Sequence, residues 1–218
     1  MMIVKRVVLF LIVVLSCISG FAFYHFREHE NPVLTQDMIH EKWTHAKPDD
    51  SILKSGDLIF RHGRGAISKA LMLFSRHEAK YSHAGIISIQ NNKVYVYHAI
   101  GGEENISNKL RKDPIEVFCN PNDIYSFGIY RLDLDNKMLR KVDSLANNYY
   151  KQELEFDTRF DIQTDDKMYC SEFVYKTILQ ATGDKNYLPL SASSGISYVA
   201  CDDLYLNVHC RNLYSYSY

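Results

Sequence analysis

Apolar and polar positions follow two periods along the body of the chain, one typical of strands and one typical of helices. Short apolar runs bounded by turn residues predict strands at 58–60, 82–89, 93–100, 115–118 and 126–132. The segment Gln90-Asn91-Asn92 indicates a hairpin between the second and third of these strands. Connections of hairpin length are too short for parallel crossovers, so we predict an antiparallel sheet.

Helices are predicted on both sides of these strands in the sequence, from apolar residues at helical spacing. Their bounds are 36–45, 65–74, 136–150 and a helix that begins at Cys170. The second of them is expected to be amphipathic, with Ile67, Ala70, Leu71 and Phe74 at helical spacing. Strands in the middle and helices outside them predict an α+β fold, in which the sheet packs against helices.

The first 27 residues have the composition of a signal peptide or an N-terminal membrane anchor. Lys5 and Arg6 precede an uncharged run from Val7 to about Tyr24, which is the order found in secretory signals. The run is also close to the roughly 17–25 residues that a helix needs to cross a bilayer. A third alternative is a lipoprotein site, because Val14-Leu15-Ser16-Cys17 loosely resembles a lipobox. We therefore expect an exported protein of the cell envelope or periplasm that associates with the membrane through this segment.

Residues 28–54 are predicted to form a linker with a short helix, and residues 55–218 a single folded domain. The chain of 218 residues is 46% hydrophobic and 13% aromatic, which is enough for a sizeable core. Its 25 Lys and Arg against 26 Asp and Glu give a formal net charge of −1. Such a balance provides no field to gather nucleic acid, so no nucleic-acid partner is expected.

Export would place the cysteines of the body in an oxidising compartment. They are Cys119, Cys170, Cys201 and Cys210. Four cysteines allow three full pairings but need not all pair, and a catalytic thiol would leave an odd one. Cys201 with Cys210 is the plausible local bridge, but the sequence leaves the pairing open.

Cys170 is a candidate nucleophile because it opens the last predicted helix. The unpaired N–H groups and the positive dipole end at the start of a helix favour the thiolate, which is the attacking form of a cysteine. The same N–H groups can donate hydrogen bonds to an oxyanion during acyl transfer. The alternative interpretation is a buried structural cysteine on an apolar helix face.

Two histidines are candidates for the partner of this thiol. His83 enters a predicted strand in Tyr81-Ser82-His83-Ala84-Gly85, where it could act as the general base. His98 lies on the next strand of the hairpin and could orient the His83 ring as the third member of a triad does. Either one could equally be a surface or satisfied core histidine. No metal is expected, because the chain has neither a His-Glu-x-x-His motif nor paired Cys-x-x-Cys motifs.

Together, these segments resemble the YiiX/YaeF group of permuted papain-like cysteine hydrolases, within the NlpC-type cell-wall peptidase superfamily. The resemblance runs in order from Ser55 to about Leu179, more than half of the chain. The segments that carry it are Gly56-Asp57-Leu58-Ile59-Phe60, Ile67-Ser68-Lys69-Ala70, Tyr81-Ser82-His83-Ala84-Gly85, the strand from Val94 to Gly101, and Tyr169-Cys170-Ser171-Glu172-Phe173-Val174.

The resemblance implies a circularly permuted papain-like fold, in which the histidine strands precede the helix of the nucleophile. It assigns Cys170 as nucleophile, His83 as general base and His98 as the orienting third residue. Members of the group usually carry Glu at the third position, and His is found there in the non-permuted cell-wall peptidases. Tyr81 matches a tyrosine of related lipid acyltransferases, which implies a role at the oxyanion or in the shape of the pocket.

The implied activity is acyl transfer by a Cys-His-His mechanism, without a cofactor, on an amide or ester bond. The partner would be a cell-wall peptide or a lipid-type acyl compound, and the acyl group would pass to water or another acceptor. The alternative is a catalytically inactive papain-like binding module of the cell envelope, with His98 as a sign of drift from the family pattern.

Three further features are expected to be structural. Asp57 follows Gly56 and is predicted to be a turn or cap residue. Glu172 is expected on a solvated face of the last helix. The tail from Ser191 to Tyr218 is expected to cap the core, and its Tyr-Ser-Tyr-Ser-Tyr end is as readily interpreted as mobile.

Overall fold

A sheet of six antiparallel strands organises the computed structural model, which describes residues 33–102, 105–193 and 195–218. Its strands are β1 (Leu58–Gly63), β2 (His83–Gln90), β3 (Lys93–His98), β4 (Arg111–Pro114), β5 (Ile124–Leu132) and β8 (Cys210–Ser217). Their order across the sheet is β4-β3-β2-β1-β5-β8, and a separate hairpin pairs β6 (Ser191–Ser193) with β7 (Ile196–Tyr198). The predicted signal or anchor segment, residues 1–27, lies outside the described residues.

The helices of the described chain pack around this sheet. They are α1 (Gln36–Ala46), a 3₁₀ turn (Asp50–Ile52), α2 (Ala66–Met72), α3 (Ile115–Phe118), α4 (Asn136–Lys151), α5 (Cys170–Thr182) and α6 (Cys201–Tyr205). Residues 36–218 form a compact unit of their own, so α1 is part of the folded body although it comes from the predicted linker. Within the described residues, each helix is too short or too polar to cross a membrane.

Alternation along the strands gives the sheet an apolar surface on each face. Leu58 and Phe60 of β1 face a core that includes Phe173 and Ile178 of α5. Ile59 between them faces a second core that contains Trp43 of α1 and the side chains of α3. The fold is therefore α+β, with an antiparallel sheet between two layers of helices, as the strand and helix patterns predict.

Most predicted strands and helices are present within a few residues of their expected bounds. The hairpin turn at Asn91 and Asn92 is confirmed, and both residues have positive φ (51° and 61°), as a two-residue turn between twisted strands requires. Asp57 is a buried turn residue, as predicted. Its carboxylate accepts a hydrogen bond from the Lys54 N–H (2.7 Å) and forms an ion pair with Arg131 (2.7 Å).

The prediction of a strand at 115–118 is wrong, because this segment is the short helix α3 and the strand lies just before it, in β4. Pro114 provides the physical reason, since it has no N–H to continue a ladder and suits the start of a helix. Ile115 and Phe118 are buried while Glu116 and Val117 are exposed, which is a helical spacing.

The C-terminal tail is the sixth strand of the sheet, so the interpretation of its end as mobile is wrong. β8 pairs with β5 from Ser126 opposite Ser217 to Leu132 opposite Cys210. The alternating tyrosines suit a strand because they place rings on one side, where Tyr214, Tyr216 and Tyr218 pack around Phe127.

Candidate active site

Cys170 is the first residue of α5, and its side chain is buried. Tyr169 before it has extended backbone (φ −82°, ψ 172°), so the chain turns into the helix at the cysteine. The Glu172 carboxylate accepts a hydrogen bond from the Tyr169 N–H (3.1 Å) and stabilises this turn. The thiol thus lies at the helix start, where the sequence predicts it.

His83 begins β2 and His98 ends β3, so both lie at the open end of this hairpin. Gly85 packs tightly against β3, since a Cβ at this position would be 2.5 Å from Cγ1 of Val96 and 2.9 Å from the carbonyl oxygen of Tyr97. Only glycine allows the two strands to approach this closely. The Gly85 of the histidine motif therefore sets the spacing that lets the two imidazoles meet.

The two histidines and Asp113 form a continuous hydrogen-bonded chain. His83 Nε2 is 2.9 Å from His98 Nδ1, and His98 Nε2 is 3.0 Å from the Asp113 carboxylate. A carboxylate can only accept, so His98 must carry its proton on Nε2 and accept at Nδ1. His83 then donates from Nε2, which leaves Nδ1 free to take the proton of the Cys170 thiol and, once protonated, to donate to the thiolate. The arrangement selects the tautomer of His83 that a base requires.

Burial keeps the middle of this chain neutral. It lowers the pKa of His98 to about 3, and the positive charges of His83 and Arg61 act in the same direction against the hydrogen bond to Asp113. For Asp113 itself, partial burial favours a higher pKa. The hydrogen bond from His98, together with the hydrogen bond and charge of Arg111, outweighs it and lowers the pKa of that carboxyl. Asp113 is therefore the anionic end of the chain, and it also pairs with Arg111 (2.7 Å).

Phe118 fixes the orientation of both imidazoles. Its ring is stacked on His83, with centroids 5.7 Å apart, and meets His98 edge to face at 5.0 Å. The Arg61 guanidinium lies over the same ring, with its Cζ 4.9 Å from the ring centroid. Helix α3, whose sequence pattern predicts a strand, thus contributes directly to the geometry of the site.

The sulfur of Cys170 receives three hydrogen bonds. They come from the thiol of Cys201, the imidazole of His83 and the backbone N–H of Ala84. The bond from Cys201 is the largest influence and lowers the pKa of Cys170, as do the charge and hydrogen bond of His83. Together they hold the pKa well below its ordinary value although burial favours a higher one. The structure therefore favours a thiolate at Cys170 beside His83.

Cys201 reaches this position because its segment is fastened to the start of α5. The Ser171 hydroxyl donates to the Val199 carbonyl (2.7 Å), and the Val199 N–H donates to the Tyr169 hydroxyl (2.8 Å). The bond to Cys170 raises the pKa of Cys201 well above its ordinary value, so this thiol stays protonated as the donor. Cys201 is thus a free thiol facing Cys170, and the expected bridge to Cys210 is absent between these described residues.

Tyr81 and Glu172 are both buried, although Glu172 was expected on a solvated face of the helix. Tyr81 is buried in an aromatic cluster, and its hydroxyl is 3.4 Å from that of Tyr130. Glu172 is fully buried, so its placement on a solvated face is wrong. Burial raises the pKa of Glu172 to about 7 in spite of its ion pair with Lys176 (2.9 Å). Glu172 is buried because its carboxylate must turn inward to reach the Tyr169 N–H.

Two residues of the site were not predicted from the sequence. Asp113 precedes Pro114 in a short strand of polar residues, where hydrophobic periodicity carries no signal. Cys201 lies in the tail and was assigned to a bridge. The signal that could have found it is its position in Ala200-Cys201-Asp202-Asp203, a helix start like that of Cys170.

A cleft of about 580 Å³ lies beside the start of α5. Its walls come from the 159–163 loop and from the hairpin of β6 and β7. Phe160 in this wall packs against Tyr169, the residue before Cys170, with ring centroids 5.2 Å apart. The cleft therefore borders the loop that holds the thiol and can accommodate a substituent of a substrate.

Comparisons with known proteins match this chain to a family. Residues 52–188 match the family described as permuted papain-like amidase enzyme, YaeF/YiiX, C92 family. The uncharacterized protein YiiX of Escherichia coli K12 is 28% identical over 132 residues, which are 60% of this chain and 59% of that protein. The chain thus spans about three fifths of the length of this curated relative.

A solved structure, described as that of the metalloprotein yiiX from Escherichia coli O157:H7, has a similar fold. The alignment has a TM-score of 0.60 and 20% identity, and it covers 75% of this chain and 98% of the other. At this level of identity the likeness concerns the fold.

Proposed function

Because the chain belongs to the permuted papain-like amidase family, we propose that it is a cysteine hydrolase that cleaves an amide or ester bond through a covalent acyl-enzyme. The observation that carries the proposal is the unbroken chain of hydrogen bonds from Cys170 through His83 and His98 to Asp113. A structural cysteine has no need of a base held in one tautomer.

The first half of the reaction forms the acyl-enzyme. The Cys170 thiolate attacks the carbonyl carbon of the substrate, and the electron pair of the carbonyl bond moves onto its oxygen. His83 holds the thiol proton on Nδ1 as an imidazolium, whose charge is stabilised through His98 by the Asp113 carboxylate. When the carbonyl re-forms, the bond to the amine or alcohol breaks and the leaving group takes the proton from His83.

The second half of the reaction releases the acyl group. His83 removes a proton from water or another acceptor, which attacks the thioester and restores the Cys170 thiolate. In both halves the developing oxyanion needs donors, and the N–H groups in the first turn of α5 have no acceptor within the helix. In this scheme Tyr81 contributes to the shape of the pocket and does not donate to the oxyanion, because its hydroxyl faces that of Tyr130.

The proposal includes an exported enzyme whose substrate is a cell-wall peptide or a lipid-type acyl compound. Export rests on Lys5, Arg6 and the uncharged run after them. The cleft beside α5 is lined by apolar Phe160 and by both Arg159 and Asp161, and such a mixture suits a substrate with an apolar part and charged groups of either sign. A cell-wall peptide with free amino and carboxylate groups and a lipid-type acyl compound with a charged headgroup both have this composition.

No step of the proposed reaction passes through a metal. The related yiiX structure is described as a metalloprotein. In this chain, across residues 33–102, 105–193 and 195–218, no three His, Cys, Asp or Glu side chains converge in a way that could hold an ion. Nε2 of His83 and Nδ1 of His98 are instead hydrogen-bonded to each other.

Thiol labelling tests the proposal without knowledge of the substrate. The full chain is treated with iodoacetamide from pH 5 to 9, and the modified cysteine is located by mass spectrometry. We expect rapid labelling of Cys170 at acidic pH that is lost in His83→Ala. An ordinary thiol profile in both proteins would contradict a catalytic pair and favour the alternative, a binding module of the envelope. Positive labelling leads to assays of peptide amides and lipid amides, with Cys170→Ala as the inactive control.

A further inference from the structure

Helix α2 and the turns after it present apolar side chains to solvent. Ile67 is 76% exposed, Leu73 85% and Phe74 60%. Phe74 also meets the Tyr198 ring of β7 at 6.3 Å, and Ile196, on the same side of that strand, is 67% exposed. We call these four side chains, Ile67, Leu73, Phe74 and Ile196, the apolar patch. Groups of exposed large hydrophobic residues mark surfaces that are covered in function.

The orientation of α2 is opposite to that of an ordinary surface helix. The amphipathic pattern is present as predicted, but the residue that α2 buries is Ser68, and its hydroxyl is 2.6 Å from that of Ser82. The polar contact fastens α2 to the body next to His83, while Ile67 and Ala70 of the apolar side are exposed and Leu71 is half-buried. The pattern therefore serves a surface outside the body and not its core.

Positively charged side chains are concentrated in the segment that carries most of this patch. Residues 64–80 contain four of them, Arg64, Lys69, Arg76 and Lys80, and one negatively charged side chain, Glu78, in a chain whose formal net charge is −1. Lys69 and Arg76 are exposed beside the apolar side chains. Apolar side chains flanked by cations are the composition with which proteins bind anionic lipid surfaces.

The patch is also fixed to the proposed active site. The Asp202 carboxylate accepts hydrogen bonds from the N–H groups of Arg76 (2.9 Å) and His77 (2.7 Å). Tyr205 donates to the Glu78 carbonyl (2.8 Å). Both anchors belong to α6, which begins at Cys201 against the nucleophile. A surface that contacts the patch would thus lie close to the site.

We propose that the apolar patch docks the folded body onto an anionic phospholipid bilayer. Ile67, Leu73 and Phe74 enter the acyl boundary, and Lys69 and Arg76 contact the phosphate groups. This contact goes beyond the proposed hydrolase activity and is separate from the N-terminal segment. A second copy of the chain is a poorer occupant, because face-to-face packing of two patches would bring their cations together.

A tryptophan at position 73 reports this contact in the full chain. The protein has one natural tryptophan, Trp43, so the parent chain supplies the background signal. Leu73→Trp is mixed with vesicles of phosphatidylcholine and phosphatidylglycerol (about 3:1) whose acyl chains carry bromine as a quencher. Val117→Trp is the matched control, because Val117 is exposed (44%) on α3, whose helix packs on the second core.

We expect quenching of the Leu73→Trp signal to exceed that of Val117→Trp by at least about threefold on anionic vesicles. The excess should be lost on pure phosphatidylcholine and after Lys69→Glu with Arg76→Glu. Equal quenching at both positions, or an excess that persists on neutral vesicles, would overturn the proposal. So would a blue shift of Leu73→Trp without vesicles that grows with protein concentration, which would assign the patch to a second copy. No outcome depends on turnover, so the hydrolase proposal is tested separately.

Discussion

The thiol of Cys201 donates a hydrogen bond to the sulfur of Cys170, although the two residues open different helices. Among the influences on the pKa of Cys170, this bond is the largest, ahead of the charge of His83. The thiolate is therefore stabilised from two directions, by His83 on the sheet and by a neutral donor on α6. Cys201 is a positioning residue in this arrangement and takes no part in bond making.

Removal of this donor should make Cys170 less acidic. In Cys201→Ala, we expect the pH profile of iodoacetamide labelling at Cys170 to move upward by about 1–2 pH units, because a hydrogen bond to a charged group contributes about 1.5–3 kcal/mol. Cys201→Ser keeps a hydroxyl donor and should restore much of the profile. Cys210→Ala is the control, since its thiol packs elsewhere in the core. An unchanged profile in Cys201→Ala would assign the low pKa to His83 alone.

Asp113 should control the base through its tautomer. In Asp113→Asn, the new amide can donate to His98 Nε2, and His98 would then carry its proton on Nδ1, facing His83. His83 would move its own proton to the nitrogen beside Cys170 and lose its function as base. We expect hydrolysis and labelling of Cys170 at neutral pH to fall by at least ~10-fold.

The matched control for this substitution is Asp135→Asn. Asp135 caps α4 and accepts the Met138 N–H (2.7 Å), a role that asparagine also fills. Its activity and labelling should equal those of the parent chain. If Asp113→Asn behaved in the same way, the hydrogen bond to His98 would have no part in the selection of the tautomer.

Lys176 provides an internal comparison between a buried and an exposed ion pair. It contacts Glu172, which is fully buried, and Asp165, whose side chain is 85% exposed. Glu172→Ala removes the hydrogen bond to the Tyr169 N–H as well, so it should lower the free energy of unfolding by about 1–3 kcal/mol. Asp165→Ala should change it by less than about 0.5 kcal/mol. Urea denaturation of both variants measures the difference, and equal effects would contradict the structural role of Glu172.

The sequence allowed the proximity of Cys170, His83 and His98 to be predicted, because each lies in a regular strand or helix next to a distinctive residue. Cys170 opens an apolar helix, and His83 stands two residues before Gly85. These are local patterns, and a hairpin brings His83 and His98 together by its own register. The predicted residues therefore meet without any need for information on distant contacts.

Asp113 and Cys201 could not be found in this way, because their roles arise from distant packing. The position of Asp113 depends on β4 pairing with β3, and that of Cys201 depends on Val199 binding to Tyr169 and Ser171. Nor does the apolar pattern of α2 say which way the helix faces. The contact between Ser68 and Ser82 decides that, and it joins residues on either side of a long connection.

The buried His98 should make the stability of the fold depend on pH. Its pKa is about 3 in the folded state and near 6.5 when exposed, so below pH 6.5 the unfolded chain binds a proton that the folded chain excludes. Stability contributed by neutral His98 is present above pH 6.5 and is lost as the pH falls toward 3. The loss is up to about 1.4 kcal/mol for each pH unit.

His98→Gln lacks this group, so urea denaturation between pH 6.5 and 4.5 should show the parent chain losing its advantage over the variant. That window lies above the titration of Asp113, whose lowered pKa affects stability only at more acidic pH. A constant difference between the two proteins would mean that His98 becomes protonated within the fold, and its role as a neutral acceptor for His83 would then be wrong.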